Sequence, residues 1–140
     1  MTRRSISRSR TDLPTNAELL ILNALWDLRD GTVENIVDRL DPSPPANYKT
    51  VQSLLRIMES KGFVRHTHRG RAFVFSPCVT RDEVGGSLAK RLLDRTFQGS
   101  APALVMNLLD RNPVNDQELD ELEALIRHYR QRKTKDRASD

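Results

Sequence analysis

The chain has 140 residues, 37% apolar, 30% charged and only 5% aromatic, which excludes the large α/β enzyme scaffolds and suits one compact domain, or a small domain with an appendage, built from helices on an aliphatic core. The longest apolar stretch, residues 19–26, is broken by Asn23 and falls far short of the ~20 residues that cross a bilayer; the Arg- and Ser-rich start leads into no apolar segment, so a cytoplasmic location without membrane insertion is expected. The formal charge of +4 is unevenly spread, because residues 11–45 hold Arg29 and Arg39 against seven acids, whereas residues 46–75 hold Lys49, Arg56, Lys61, Arg65, Arg69 and Arg71 against Glu59 alone.

In chain order, residues 1–12, with Arg3, Arg4, Arg8 and Arg10, read as a flexible basic arm. Thr15 and Glu18 form a capping box that starts a first helix, with Leu19, Leu22, Leu25 and Trp26 at helical spacing and a stop at Asp30-Gly31. Thr32 can cap a second helix carrying Val33, Ile36, Val37 and Leu40, which ends before Pro42, Pro44 and Pro45. A third helix runs from an Asn47 cap to Gly62 and directs Val51, Leu54, Leu55 and Met58 inward. Lys49, Gln52, Ser53 and Arg56, three or four residues apart, then point outward together. After Gly62 the pattern turns to short β-rich pieces, residues 63–68 and 71–76, joined by a turn at Arg69-Gly70. That is a hairpin with a basic tip.

Thr80 and Glu83 open a further helix that runs to about Gln98, with Leu88, Leu92, Leu93 and Phe97 on one side and a soft spot at Gly85-Gly86. A shorter helix over 100–110 carries Leu104, Val105, Leu108 and Leu109. A last one, opened by Asn115 and Glu118, carries Leu119, Leu122, Leu125, Ile126 and Tyr129, with acids leading and bases ending it as the helix dipole prefers. From Arg130 the chain is polar and expected to fray, leaving residues 134–140 as a tail.

The fold class expected is mainly α: a winged helix-turn-helix DNA-binding domain over 13–79, then a three-helix dimerisation domain over 80–133. Clustered cations meet a polyanion by releasing its counterions. Arg pairs with guanine and Gln with adenine, Ser and Thr take several bases, and Lys and wing Arg hold phosphates. The candidate DNA-binding residues are therefore Lys49, Thr50, Gln52, Ser53, Arg56, Arg69 and Arg71, and double-stranded operator DNA is the expected partner. Three short amphipathic helices cannot bury their own leucines, so Leu88, Leu92, Val105, Leu108, Leu109, Leu119, Leu122, Leu125 and Ile126 are assigned to a homodimer interface.

Other motifs support no chemistry. His66 and His68 share a strand face without a third ligand, which favours a solvated wing strand or a phosphate contact over metal. Ser87 and Lys90 have the Ser-x-x-Lys spacing of penicillin-binding enzymes, but the companion Ser-Asp-Asn and Lys-Thr-Gly motifs are missing. Cys78 has no disulfide partner and reads as a buried, inert thiol. No catalytic residue, metal ligand or cofactor is assigned.

The ordered pieces resemble the penicillinase-repressor family (BlaI/MecI, with the copper repressor CopY as a relative). They are Asn16-Ala17-Glu18-Leu19 with Trp26; Tyr48-Lys49-Thr50-Val51-Gln52-Ser53-Leu54-Leu55-Arg56 running to Lys61-Gly62; Gly70-Arg71-Ala72-Phe73-Val74-Phe75-Ser76-Pro77; Phe97-Gln98-Gly99-Ser100; and Val105-Met106-Asn107-Leu108-Leu109. The resemblance implies a homodimeric transcriptional repressor, released from a palindromic operator when a membrane sensor's metalloprotease pathway, responding to a cell-wall antibiotic, leads to its cleavage. It makes Asn107 and Leu108 the candidate cleavage site, although the family's bond looks like Asn-Phe. The Cys-x-Cys ending of CopY-like members is missing. Two alternatives stand beside this reading: a repressor released by a metal or small-molecule effector, and a helical adaptor that binds no DNA.

Overall fold

A computed structural model describes residues 13–139; the basic arm lies outside the described residues. The described chain divides into two compact units, one up to Leu92 and one from Leu93 onward.

Helix α1 (Asn16–Leu28) starts where the sequence expects it. Glu18 N donates to Thr15 Oγ1 at 3.2 Å and Thr15 N donates to Glu18 Oε1 at 2.9 Å, which satisfies two of the donors that a helix start leaves free. Helix α2 (Val33–Leu40) repeats the device with Thr32 and Asn35. Helix α3 (Tyr48–Lys61) is capped by Asn47, whose Oδ1 accepts from Thr50 N, and closes at Gly62, where a φ of 88° lets the chain leave in the left-handed region that glycine adopts freely. Ile21, Leu22, Leu25, Ile36, Val51, Leu55 and Met58 from these helices are fully buried, and Phe63, Val64, Phe75, Val79 and Val84 complete the core. At roughly 1.5–3 kcal/mol for each large aliphatic or aromatic side chain removed from water, this core dominates the stability of the unit.

The hairpin pairs β1 (Val64–Arg69) with β2 (Ala72–Pro77) antiparallel, from Val64 opposite Pro77 to Arg69 opposite Ala72. Its two-residue loop is Gly70-Arg71 rather than the expected Arg69-Gly70, and Gly70, at φ 64°, supplies the positive φ such a loop requires. Gly31 and Phe75 exchange both backbone hydrogen bonds, at 3.0 and 2.8 Å, and so tie the α1–α2 connection to β2.

Helix α4 (Arg81–Thr96) begins on the first unit: Thr80 and Glu83 cap it reciprocally, and Val84 is buried in the core. Leu88, expected at an intermolecular interface, instead packs half-buried against that core, because its face follows Val84 by one helical turn. Trp26 Nε1 donates to Val79 O at 2.9 Å. Cys78 is half-buried rather than buried, and its burial pushes the thiol pKa up.

In the second unit, α5 (Ala101–Arg111) is capped by Ser100 and buries no residue. Helix α6 (Asp116–Ser139) does not fray at Arg130: the hydrophobic period ends there, but neither Gly nor Pro follows, and Arg, Gln and Lys are good helix formers. Among the described residues no helix is long and apolar enough to cross a membrane.

Candidate nucleic-acid interface

The geometry of α3 follows from its apolar stripe. With Val51, Leu55 and Met58 turned into the core, Lys49, Thr50, Ser53 and Arg56 are left exposed on the other side and Gln52 is half-buried. Gln52 and Arg56 line a groove of about 420 Å³ that Arg71 and Phe73 of the hairpin face from the opposite side, with Tyr48 and Glu34 also on its walls. Five of the seven residues assigned from sequence therefore sit on α3, and Arg71 shares its groove.

The cations of this region are not equivalent. Lys61 Nζ donates to both carboxylate oxygens of Glu18 at 3.0 Å, and Glu18 is only 2% exposed. Lys61 is thus spent joining the end of α3 to the start of α1 and does not belong to the outward stripe. Arg69 lies 3.6 Å from Asp30 in an exposed pair, a geometry that contributes little and is readily exchanged for another anion. Among the described residues, Lys49, Arg56, Arg65 and Arg71 have no acidic partner within 4 Å. Arg56 and Arg71 share one groove with Lys49 close by on α3, whereas Arg65 stands on the other face of β1 from His66; uncompensated cations of the first kind suit a phosphate backbone.

Sequence reasoning missed the contact that joins the hairpin to α3. His66 N donates to Glu59 Oε2 at 3.2 Å, and His66 Nδ1 lies 2.7 Å from the same oxygen. The His66 ring stacks on Phe73, with centroids 4.4 Å apart and planes 10° from parallel. His66 is therefore a half-buried strut between α3 and the wing, not a solvated strand residue, while His68 stays exposed. The one available signal was Glu59 itself, the only acid in the basic segment. Among the described residues no three His, Cys, Asp or Glu side chains gather in a metal-binding group.

Elsewhere in the first unit, Asp27 accepts from Arg39 at 2.7 Å and from Arg81 at 3.2 Å. These bonds, that to Arg39 foremost, hold its carboxyl below the usual carboxylate range. In the second unit, Asn107 is half-buried and Leu108 half-exposed in the middle of α5.

Three helices and a hairpin, with the third helix carrying an outward cationic face beside the wing, define the winged helix-turn-helix class, followed here by further helices. The chain belongs to the penicillinase repressor family, whose profile matches residues 14–128. It is 24% identical over 119 residues to the penicillinase repressor of Bacillus licheniformis, covering 85% of this chain and 93% of that one. It is 20% identical over 112 residues to the methicillin resistance regulatory protein MecI of Staphylococcus aureus strain N315, covering 80% and 91%. The solution structure of the Bacillus licheniformis BlaI monomeric form in complex with the blaP half-operator matches 51% of this chain and 90% of that one, at 24% identity and a TM-score of 0.44.

Proposed function

We propose that the protein represses transcription by binding a palindromic operator in double-stranded DNA as a homodimer, with α3 in the major groove and the hairpin on the flanking backbone. The observation that carries this reading is the outward face of Lys49, Thr50, Ser53 and Arg56, set beside Arg71, where among the described residues none of the three cations has an acidic partner within 4 Å. Gln52 and Arg56 read base edges, Thr50 and Ser53 add hydrogen bonds, and Lys49, Arg69 and Arg71 hold phosphates. The exposed Leu119, Leu122, Leu125 and Ile126 of α6 and the exposed Val105 and Leu108 of α5 support the homodimer, since leucines left in water by one copy are covered by another.

Fluorescence anisotropy on specific and random duplexes tests the assignment. Arg56→Ala is expected to lose ~1–3 kcal/mol on the operator alone, whereas Arg71→Ala weakens both duplexes alike and flattens the salt dependence. Equal losses on both duplexes for Arg56→Ala overturn its role as a base reader.

Release follows cutting between Asn107 and Leu108 through a membrane sensor's metalloprotease pathway, in response to a cell-wall antibiotic. Family membership and the half-exposed Leu108, in a short helix without a buried residue, support this step. Cutting there separates α6 from the rest of the chain and removes the avidity of two linked DNA-binding heads, roughly 10² to 10⁴ in affinity. Mass spectrometry of the protein from induced cells is expected to find a fragment beginning at Leu108. An intact chain alongside full derepression points instead to an effector that binds the repressor.

A further inference from the structure

Every residue from Thr67 to Phe73 is exposed, so His66 is the last residue of β1 before the loop that is not left in water. A two-stranded hairpin is at best marginally stable on its own. Among the described residues two ionic contacts reach from the hairpin to the rest of the unit. The one between Arg69 and Asp30 is long, at 3.6 Å, and exposed. The one at His66 has the geometry to fix an orientation: the Glu59 carboxylate accepts the His66 backbone N–H at 3.2 Å and meets Nδ1 at 2.7 Å. The imidazole lies flat on Phe73, with centroids 4.4 Å apart and planes 10° from parallel, and Phe73 belongs to the opposite strand, diagonal to His66. The stack therefore runs from α3 through β1 to β2. It ends two residues from Arg71, and Arg71 and Phe73 line the same groove.

Electrostatics alone would put no acid at this place. Glu59 is the only acid among residues 46–75, and it lines the groove that also holds Gln52, Arg56 and Arg71. A carboxylate there repels the phosphates that those cations attract. Glu59 also stands in the last turn of α3, where the helix dipole disfavours a negative charge. Both effects oppose an acid at this position, and the contact with His66 is what the structure sets against them.

We propose that Glu59 is a positioning residue for DNA binding. Through His66 and Phe73 it fixes the end of the hairpin so that Arg71 faces the groove beside α3, and an acid thereby strengthens the binding of a polyanion. The inference rests on the DNA-binding reading above. Its sign sets it apart from a purely electrostatic role, in which deleting the acid tightens binding.

Fluorescence anisotropy of a random-sequence duplex titrated with the full chain reads the effect, with circular dichroism showing each variant folded at the assay temperature. Arg71→Ala is expected to weaken binding on the order of fivefold, as the loss of a phosphate contact. Glu59→Ala removes a negative charge and is nevertheless expected to weaken binding by a similar factor. His66→Ala, which leaves Glu59 in place, is expected to do the same. Glu59→Gln keeps an oxygen that accepts from His66 and is expected to recover the affinity that Glu59→Ala loses. In an Arg71→Ala background Glu59→Ala is expected to cost nothing further, because the cation it positions is gone; losses that multiply across the two sites overturn the positioning role. A Glu59→Ala chain that binds the duplex more tightly than wild type overturns it as well and leaves the DNA-binding reading standing. A wild-type chain whose binding of duplex DNA does not weaken with added salt overturns both.

Discussion

The two units solve the same problem in opposite ways. Up to Leu92, short helices and a hairpin bury Ile21, Leu22, Leu25, Ile36, Val51, Leu55 and Met58 almost completely, and the ends of the elements are bolted together by Glu18–Lys61, Glu59–His66 and the Gly31–Phe75 bridge. From Leu93 onward the helices are as well capped, yet neither α5 nor the described side chains of α6 bury anything. A helix of this kind draws most of its stability from the surface it packs on rather than from its own hydrogen bonds. The first unit is therefore equipped to fold by itself, whereas the helices of the second leave Val105, Leu108, Leu122, Leu125 and Ile126 exposed.

That contrast is broken most forcefully in the core. Phe63→Ala, at a side chain 2% exposed between α3 and the hairpin, is expected to cost ~3–5 kcal/mol, the transfer of the ring plus the cavity it leaves. The loss is read by urea denaturation and is expected to be independent of protein concentration. Leu122→Ala in α6 is the counterpart: it is expected to leave the first transition where it was and to make the second more dependent on concentration, since in the proposed homodimer its partner atoms belong to another copy. A concentration-independent loss at Leu122 contradicts the division between the units.

The bolt between α1 and α3 comes next. Glu18 serves the Thr15 cap and Lys61 with one buried carboxylate. Glu18→Ala strands the ammonium group and loses the cap, for an expected cost of about 3 kcal/mol, whereas exposed helix residues such as Glu34 are expected to change stability by less than ~0.5 kcal/mol. Thermal unfolding of both variants measures the difference.

Much of this was legible in the residues. Capping boxes at Thr15 and Thr80, the Asn47 cap, the Gly62 stop and the period of the apolar positions located every helix, because these signals act within four residues of each other. The outward face of α3 followed from the same period. What escaped were contacts between distant residues. Lys61 looked like one more cation in a basic stretch until the fold brought it 43 positions back to Glu18, and His66 looked solvated until Glu59 met it. The end of α6 was misjudged for a different reason: apolar periodicity reports where a helix is covered, whereas helix propensity decides how far it continues.

A smaller change sharpens the comparison at the place where the chain leaves the first unit. Gly85 and Gly86 are helical, exposed and open, with no atom within 4 Å of where a Cβ would sit. Gly86→Ala removes backbone freedom from the unfolded chain at no steric cost and is expected to add ~0.5–1 kcal/mol, read as a raised midpoint of the first transition. No gain at either position means that these residues are not helical in solution.

The smallest expected effect is the pH dependence of the exposed cluster around Asp27. Arg39 from α2 and Arg81 from the start of α4 both donate to its carboxylate, and the carboxyl is held below its ordinary range in the folded chain. Because folding lowers this pKa, the folded state holds the proton less tightly than the unfolded one. The contribution is thus complete above the ordinary carboxylate range and is lost as pH falls through the lowered folded value. Asp27→Asn removes both the contribution and its loss, so the difference in stability between wild type and variant is expected to be constant near neutrality and to shrink as acidification carries the pH into and below the ordinary carboxylate range. All three side chains are exposed to solvent, so added salt is expected to shrink it as well. A difference that grows toward acid reverses the sign of the linkage and removes Asp27 from the contacts that hold α1, α2 and α4 together.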